Sequence, residues 1–199
     1  MDFGTLSVPQ KKDAQTDPIK IFEALPRLDG SLNDLWRGQT DALRQWDAQR
    51  TESDILISLN TGAGKTLAGL LIAQSLVNEG LSNVLYVCPT NDLVIQTKNE
   101  ADRSGIKTTT RMEQKFDNDL FEIGKAFCIT NYQAVFGGLS SLRRKHFPSA
   151  IIFDDAHVAE SVLRGSFTMS LSEGRRRIIF PTSGPDSTVF RYLRERDFI

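Results

Sequence analysis

The residues best suited to chemistry in this sequence lie in a glycine loop, Leu59-Asn60-Thr61-Gly62-Ala63-Gly64-Lys65-Thr66. Gly62 and Gly64 can adopt backbone angles closed to other residues, which lets successive N–H groups turn towards one point. A helix predicted to begin near Lys65 directs the positive end of its dipole at the same point. Lys65 can reach an anion bound there, and the Thr66 hydroxyl can ligate Mg²⁺. The loop is therefore predicted to bind phosphate.

The glycine loop lies between two patterned runs, Ser53–Leu59 and Lys65–Asn78, which predict a strand and a helix. The common phosphate-loop pattern has another glycine at the position of Leu59. The alternative interpretation is a glycine-rich turn that joins strand to helix and holds no ligand. The strand–loop–helix context favours the phosphate-binding interpretation.

Further apolar runs alternate with helical patterns along the chain. The runs that predict strands are Asn83–Cys88, Lys107–Arg111, Ala126–Thr130, Ala150–Phe153 and Arg177–Phe180. The predicted helices are Ile19–Leu25, one capped by Asn33 or Asp34, Asn91–Arg103, Asn131–Phe136 and Ala156–Leu163. Strands that alternate with helices imply an α/β fold, with a mostly parallel sheet and helices on both of its faces.

Polar residues follow several of these strands, at the edge where ligands bind in such sheets. Asp154 and Asp155 come directly after the strand Ala150–Phe153. Because Mg²⁺ prefers carboxylate, water and phosphate oxygens, we expect Asp154 and Thr66 to share one metal ion. Asp155 would then orient or deprotonate an attacking water; the alternative is an acid that merely favours the helix dipole. His157 either couples the site to a neighbouring lobe or is an ordinary polar residue of a first helical turn.

The composition narrows the class of protein. The chain has 199 residues, 40% hydrophobic and 25% charged, which suits one packed domain. A formal net charge of −1 argues against a protein that only grips nucleic acid, so any such contact must be local. No apolar run approaches the roughly 18 residues that span a bilayer, and the N-terminus has no signal pattern. We expect a cytoplasmic protein without membrane contact, with a loose lead-in over residues 1–18 and one domain over 19–199.

Four segments, in this order, resemble the first RecA-like lobe of a superfamily 2 helicase of the DEAD/DEAH-box kind. They are Leu-Asn-Thr-Gly-Ala-Gly-Lys-Thr (59–66), Cys-Pro-Thr-Asn-Asp-Leu-Val-Ile-Gln (88–96), Ile-Thr-Asn-Tyr-Gln (129–133) and Ile-Ile-Phe-Asp-Asp-Ala-His (151–157). Each motif alone is modest, but four in the right order over residues 35–160 are a strong signal. The resemblance implies a three-layer RecA-like P-loop NTPase domain that binds ATP and Mg²⁺ and acts on DNA or RNA.

The resemblance also implies roles for single residues. It assigns the ATP phosphates to Thr61–Thr66 and makes Lys65, Asp154, Asp155 and His157 the expected catalytic residues. Gln39 lies where the family places a glutamine that reads the adenine edge, and its amide can both donate and accept there. The expected contacts with the nucleic-acid backbone are Pro89, Thr90, Gln96 and Thr130.

Departures from the family pattern bear on activity. Asp155 replaces the usual glutamate, which sets the carboxylate back by roughly 1.5 Å. Pro181-Thr182-Ser183-Gly184 takes the place of the family's third motif without matching its residues. Too few residues follow Gly184 for a second lobe, whose arginines would complete the ATP site. Since an arginine finger is worth roughly 10³–10⁵ in rate, we expect this chain alone to bind ATP, hydrolyse it poorly and unwind nothing.

Three interpretations remain open on the sequence. The first is the motor lobe of a helicase or translocase. The second is a nucleotide-gated nucleic-acid-binding module with little hydrolysis, which differs from the first in turnover. The third is another P-loop ATPase, for which the segments 89–96 and 129–133 would have no contact with a phosphate backbone.

Overall fold

The computed structural model describes residues 14–26, 28, 34–60, 62–137, 140, 142 and 145–167. The predicted strand Arg177–Phe180, the motif at 181–184 and Thr61 lie outside these residues. The helices are α1 (Pro18–Ala24), α2 (Arg37–Ala48), α3 (Lys65–Asn78), α4 (Asn91–Arg103), α5 (Tyr132–Phe136) and α6 (Ala156–Phe167). The strands are β1 (Val84–Cys88), β2 (Thr109–Met112), β3 (Lys115–Phe116), β4 (Cys128–Asn131) and β5 (Ala150–Phe153).

The five strands form one sheet in the order β3-β2-β4-β1-β5. β1 pairs in parallel with β4 and β5, and β2 pairs in parallel with β4, whereas the short β3 is antiparallel to β2. The predicted α/β fold with a mostly parallel sheet is thus confirmed. The parallel pairing brings the carboxyl ends of β4, β1 and β5 to one edge, where the chain continues into Tyr132, Pro89 and Asp154.

Helices cover both faces of the sheet. Successive side chains of β1 point to opposite faces, so they contact the helices on both sides. Val84, Tyr86 and Cys88 pack in one buried cluster with residues of α1 to α4. Leu85 and Val87 pack in a second buried cluster with residues of α5 and α6. All five residues of β1 are buried, as expected of a central strand in a three-layer fold.

The glycine loop enters α3 from a segment that departs from the prediction. Residues 54–60 form neither helix nor strand, so the strand predicted over Ser53–Leu59 is wrong. A strand needs a partner for its backbone groups, and the described residues of 54–59 make no backbone hydrogen bond with any strand of the sheet. Ile55 and Leu59 still pack against the first cluster, but Leu56 is 85% exposed.

Two further local predictions differ from the structure. α2 begins at Arg37 with Trp36 as its N-cap, so Asp34 is not the cap. The capping contact runs instead from the Trp36 backbone N–H to Oε1 of Gln39, at 2.9 Å. The antiparallel β2–β3 hairpin was not predicted, since its two-residue turn has positive φ at Glu113 and Gln114 instead of the usual Asn-Gly pair.

No helix in the described part of the chain is long and apolar enough to cross a membrane.

Candidate nucleotide-binding site

The glycine loop has the backbone conformation that the sequence predicts. Gly62 and Gly64 both lie in the left-handed region, with φ of 80° and 69°, and Gly64 directly precedes α3. The Ala63 N–H donates to the Asn60 carbonyl at 3.1 Å, which closes the turn. A Cβ on Gly62 would meet no heavy atom within 4 Å, so open space lies beside the loop. Lys65, the first residue of α3, is exposed beside this loop.

The side chain of Gln39 hydrogen-bonds to the backbone of the glycine loop. Its side chain is 1% exposed, and its Nε2 donates to the Gly64 carbonyl at 3.0 Å while its Oε1 accepts from the Trp36 N–H. A Cβ on Gly64 would clash with the Gln39 amide, so glycine is required there by space as well as by φ. Gln39 therefore holds the glycine loop in place through Gly64, and its expected contact with the adenine edge is a separate role.

Asp154 stands at the carboxyl end of β5, opposite the start of α3. Its N–H donates to the Val87 carbonyl at 2.9 Å, and the Tyr86 hydroxyl donates to its carboxylate. Burial raises the pKa of Asp154; the Tyr86 hydrogen bond opposes this, Asp155 adds to it and the positive charge of Lys65 opposes it. The charge of Lys65 therefore acts on the carboxylate of Asp154, although 88 residues lie between them in the sequence.

Tyr86 reaches Asp154 because α3 carries a glycine at the contact. A Cβ on Gly69 would lie 2.8 Å from Cε2 and 3.3 Å from the hydroxyl oxygen of Tyr86. Glycine inside a helix costs about 1 kcal/mol relative to alanine, so the close approach is the reason for it here. Burial, followed by the Asp154 charge, raises the pKa of Tyr86 well above its usual value, so the hydroxyl keeps its proton.

The turn after Asp154 is held from the other face of the sheet. The hydroxyl of Tyr132, the first residue of α5, shares its one hydrogen between the backbone carbonyls of Asp154 and Asp155 in a three-centre hydrogen bond. Asp155 is exposed and has φ of 58°, a left-handed conformation that is uncommon outside glycine. His157 is the second residue of α6 and is exposed.

The residues expected at the nucleic acid lie along the same edge with different exposure. Thr90 and Gln96 are exposed and Pro89 is half-buried. The Thr90 hydroxyl accepts from the Leu93 N–H at 3.3 Å and so caps α4. Thr130 is fully buried, and its hydroxyl donates to the Arg111 carbonyl at 2.8 Å. Thr130 therefore shapes the end of β4, and exposed polar groups must come from its neighbours.

The two candidate nucleic-acid segments are joined by a side-chain contact. Nδ2 of Asn131 donates to Oδ1 of Asn91 at 2.6 Å, which ties the end of β4 to the start of α4. Oδ1 of Asn131 accepts from the Ala134 N–H at 2.7 Å and caps α5. The segments 89–96 and 129–133 are thus joined at the edge of the sheet through Asn91 and Asn131, while Ile129, Thr130 and Tyr132 are buried.

The donor groups fit a magnesium ion bound with a nucleotide. Thr66 supplies a hydroxyl, Asp154 a carboxylate, and both atoms are the hard oxygen donors that Mg²⁺ selects. Mg²⁺ is usually held by one or two protein ligands plus phosphates and water, rather than by a protein cage. The described residues contain no group of three or more His, Cys, Asp or Glu that could hold a metal ion.

Sequence reasoning missed the tyrosines that hold the acidic turn. Tyr86 was visible as a residue of a buried strand and Tyr132 as the residue after a strand-end pair, but neither pattern shows where a hydroxyl points. The unusual glycine within α3 was a usable signal, because a helix interior carries glycine when another group must approach closely.

The chain matches a protein-family model over residues 33–173, well over half of its length. That family is described as type III restriction enzyme, res subunit. No curated protein matches the chain.

Among solved structures, the chain is similar to the UvsW helicase from bacteriophage T4, with a TM-score of 0.58 and 16% sequence identity. The match covers 75% of this chain and 53% of that one, so the chain spans about half the length of the helicase. At this identity the similarity shows the fold alone. Together, the family match and the shared fold confirm the resemblance on which the motifs agreed: the chain belongs to the type III restriction enzyme res subunit family and has the fold of the first RecA-like lobe of a superfamily 2 helicase.

Proposed function

We propose that this chain is the ATP-binding lobe of an ATP-dependent nucleic-acid helicase or translocase, and that it binds Mg-ATP between the glycine loop and the Asp154–Asp155 turn. The observation that carries the proposal is the placement of Lys65 at the start of α3, beside the left-handed glycine loop, and of Asp154 directly after β5, a strand that α3 contacts. A cation that starts a helix beside a left-handed glycine loop, on the same sheet edge as a half-buried carboxylate, suits a phosphate chain with its metal. Family membership supports the same chemistry.

The proposed roles follow the geometry of the loop and the acidic turn. Backbone N–H groups of the loop, those of Gly62 and Gly64 among them, bind the phosphates and Lys65 neutralises their charge. Thr66 and Asp154 bind Mg²⁺, which would polarise the terminal phosphate, and Asp155 orients the attacking water with His157 beside it on α6. Gln39 retains one amide hydrogen and one lone pair beyond its two bonds to the protein, and these are proposed for adenine.

The proposed track for DNA or RNA is the surface formed by residues 89–96 and 129–133. Exposed Thr90 and Gln96 and half-buried Pro89 and Asn131 lie along it, with buried Thr130 beneath, shaping the end of β4. Since the chain spans about half of the helicase it resembles, the arginines of a second lobe are proposed to complete the ATP site. We infer that this chain alone binds ATP but turns it over slowly.

Direct nucleotide binding tests the proposal. A fluorescent ATP analogue is titrated with the chain in Mg²⁺ and again in EDTA, with matched variants Lys65→Ala and Lys107→Ala. Lys107 is also exposed but precedes β2, at the end of the parallel strands away from the site. Binding that requires Mg²⁺ and Lys65 but tolerates loss of Lys107 supports the proposal. Binding that is absent, or indifferent to both, refutes it.

A second candidate is a nucleotide-gated nucleic-acid-binding module with little hydrolysis. The observation that favours it is the turn itself, since Asp155 has a shorter side chain than glutamate and a left-handed backbone. The two candidates differ in turnover, so ATPase activity of the complete protein with and without single-stranded nucleic acid separates them. Stimulated hydrolysis supports the motor, whereas nucleic-acid affinity that depends on nucleotide without turnover supports the gated module.

A further inference from the structure

Tyr132 occupies a junction between two surfaces of the molecule. It is the first residue of α5 and directly follows the strand-end residues Thr130 and Asn131. Its side chain is 1% exposed and lies in the cluster beneath β1, with its ring centroid 6.0 Å from that of Phe153. From there its hydroxyl reaches the turn after β5.

The hydroxyl of Tyr132 bonds backbone rather than side chains. It donates to the carbonyls of Asp154 and Asp155, and the Asp155 carbonyl also accepts the first N–H groups of α6, from Val158 at 3.1 Å and Ala159 at 3.2 Å. One phenol therefore fixes the two peptide groups that join β5 to α6, and with them the points from which both carboxylates extend.

The Asp154–Asp155 turn contains a backbone conformation that is unfavourable without surrounding contacts. Asp155 has φ of 58°, and a non-glycine residue in the left-handed region costs about 1–2 kcal/mol relative to ordinary backbone. Such a conformation persists when surrounding contacts determine it. Among the described residues, the contacts that meet these carbonyls from outside α6 come from Tyr132.

The backbone of Tyr132 is connected to the candidate nucleic-acid surface. Asn131, its neighbour, caps α5 through Ala134 and bonds Asn91 at the start of α4. A shift of the junction between β4 and α5 would therefore displace the Tyr132 ring, and the Tyr132 hydroxyl would displace the backbone of the Asp154–Asp155 turn to which it is bonded.

We propose that Tyr132 is a positioning residue of the nucleotide site, which sets the backbone of the Asp154–Asp155 turn and transmits to it the state of the surface formed by 89–96 and 129–133. The consequence of the tether rests on the proposed function, since Mg-nucleotide is what the turn would bind, whereas the tether itself is a set of hydrogen bonds within the chain. Tyr132 touches no reacting atom in this scheme and acts through the turn.

The first experiment measures the tether in the free chain. Tyr132→Phe keeps the buried ring and removes the hydroxyl. Thr97→Val is the matched control, because it removes another buried hydroxyl, 3.5 Å from the Cys88 sulfur, that makes no contact with the turn. One hydrogen bond is worth about 1 kcal/mol, so amide hydrogen exchange over residues 154–159 is expected to speed up about fivefold in Tyr132→Phe and to stay unchanged in Thr97→Val. Unchanged exchange in a folded Tyr132→Phe chain would overturn the proposal.

The second experiment measures transmission. The affinity for a fluorescent Mg-ATP analogue is determined with and without an oligothymidylate, in the wild-type chain and both variants. Tyr132→Phe is expected to lose the effect of one ligand on the affinity for the other, whereas Thr97→Val should keep it. Coupling retained in Tyr132→Phe would overturn transmission. If the wild-type chain binds no nucleotide, the proposed function fails, and hydrogen exchange still decides the tether.

Discussion

The two sides of the candidate site are held in different ways. Three residues hold the acidic turn. The Val87 carbonyl accepts from the Asp154 N–H, the Tyr86 hydroxyl donates to the Asp154 carboxylate, and the Tyr132 hydroxyl donates to backbone carbonyls of the turn. The approach to the glycine loop has no strand partner in the described part of the chain; it is supported by the packing of Ile55 and Leu59 on the first cluster and by the Gln39 hydrogen bond to Gly64. Among the described residues, the acidic turn, which is the proposed metal side, is therefore held by contacts from β1 and α5, whereas the glycine loop, which is the proposed phosphate side, receives fewer hydrogen bonds from other elements.

The largest effect is expected from Lys65→Ala, which removes the cation on the less supported side. A hydrogen bond to a charged group is worth about 1.5–3 kcal/mol, which corresponds to roughly a ten- to hundredfold loss of Mg-ATP affinity. The fold should be unaffected, because Lys65 is exposed. Calorimetric titration measures the change, and an affinity within twofold of the wild type would remove the phosphate side from the comparison.

Asp154→Asn tests the proposed metal side and should make nucleotide affinity nearly independent of Mg²⁺, a loss of about tenfold in the metal's contribution. The control is Asp119→Asn, an exposed acid outside the site. Titration in Mg²⁺ and in EDTA measures the effect. If the magnesium dependence survives in Asp154→Asn, another residue binds the ion.

The same substitution predicts a pH effect on stability. Burial raises the pKa of Asp154 in the folded state, so the folded chain binds this proton more tightly than the unfolded chain does. The free energy of unfolding that Asp154 contributes therefore falls as pH rises from about 4, the unfolded value, through the raised folded value. Without nucleotide, Asp154→Asn should unfold at higher urea concentration than the wild type at pH 7 and lose that decline. Lower stability at pH 7 would show that the ionised carboxylate is well compensated.

A smaller effect should separate the two glycines of the loop. Both have positive φ, but a Cβ displaces Gln39 at Gly64 and meets open space at Gly62. Gly64→Ala is therefore expected to weaken nucleotide binding about fivefold more than Gly62→Ala, which corresponds to one lost hydrogen bond of about 1 kcal/mol. In a Gln39→Ala background the gap should close. A gap that persists there would mean that Gln39 does not support the loop.

The smallest effect is expected from Asp155→Glu on the proposed metal side. The added methylene moves the carboxylate by roughly 1.5 Å. With the turn held by Tyr132, ATPase activity should change by less than about threefold, which corresponds to about 0.65 kcal/mol in the activation free energy. A much larger gain would favour the nucleotide-gated module, in which Asp155 is too short for useful hydrolysis.

Much of the site could be predicted because it depends on local patterns. The glycine loop, the start of α3 at Lys65 and the acidic pair after β5 are each encoded within a few neighbouring residues. Parallel pairing then brings strand ends together without further information. The strand over Ser53–Leu59 failed for the converse reason, because an apolar run gives the tendency to form a strand but does not supply the partner.

The sequence by itself determined which groups reach the edge of the sheet: a lysine after two permissive glycines, and two aspartates after the strand Ala150–Phe153. The tertiary structure decided how those groups are held. Gln39 meets Gly64 across 25 positions of sequence, and Tyr132 meets Asp154 across 22. The physical reason is that a hydrogen bond depends on where two side chains come to lie after the core has packed, and neither periodicity nor motif spacing carries that information.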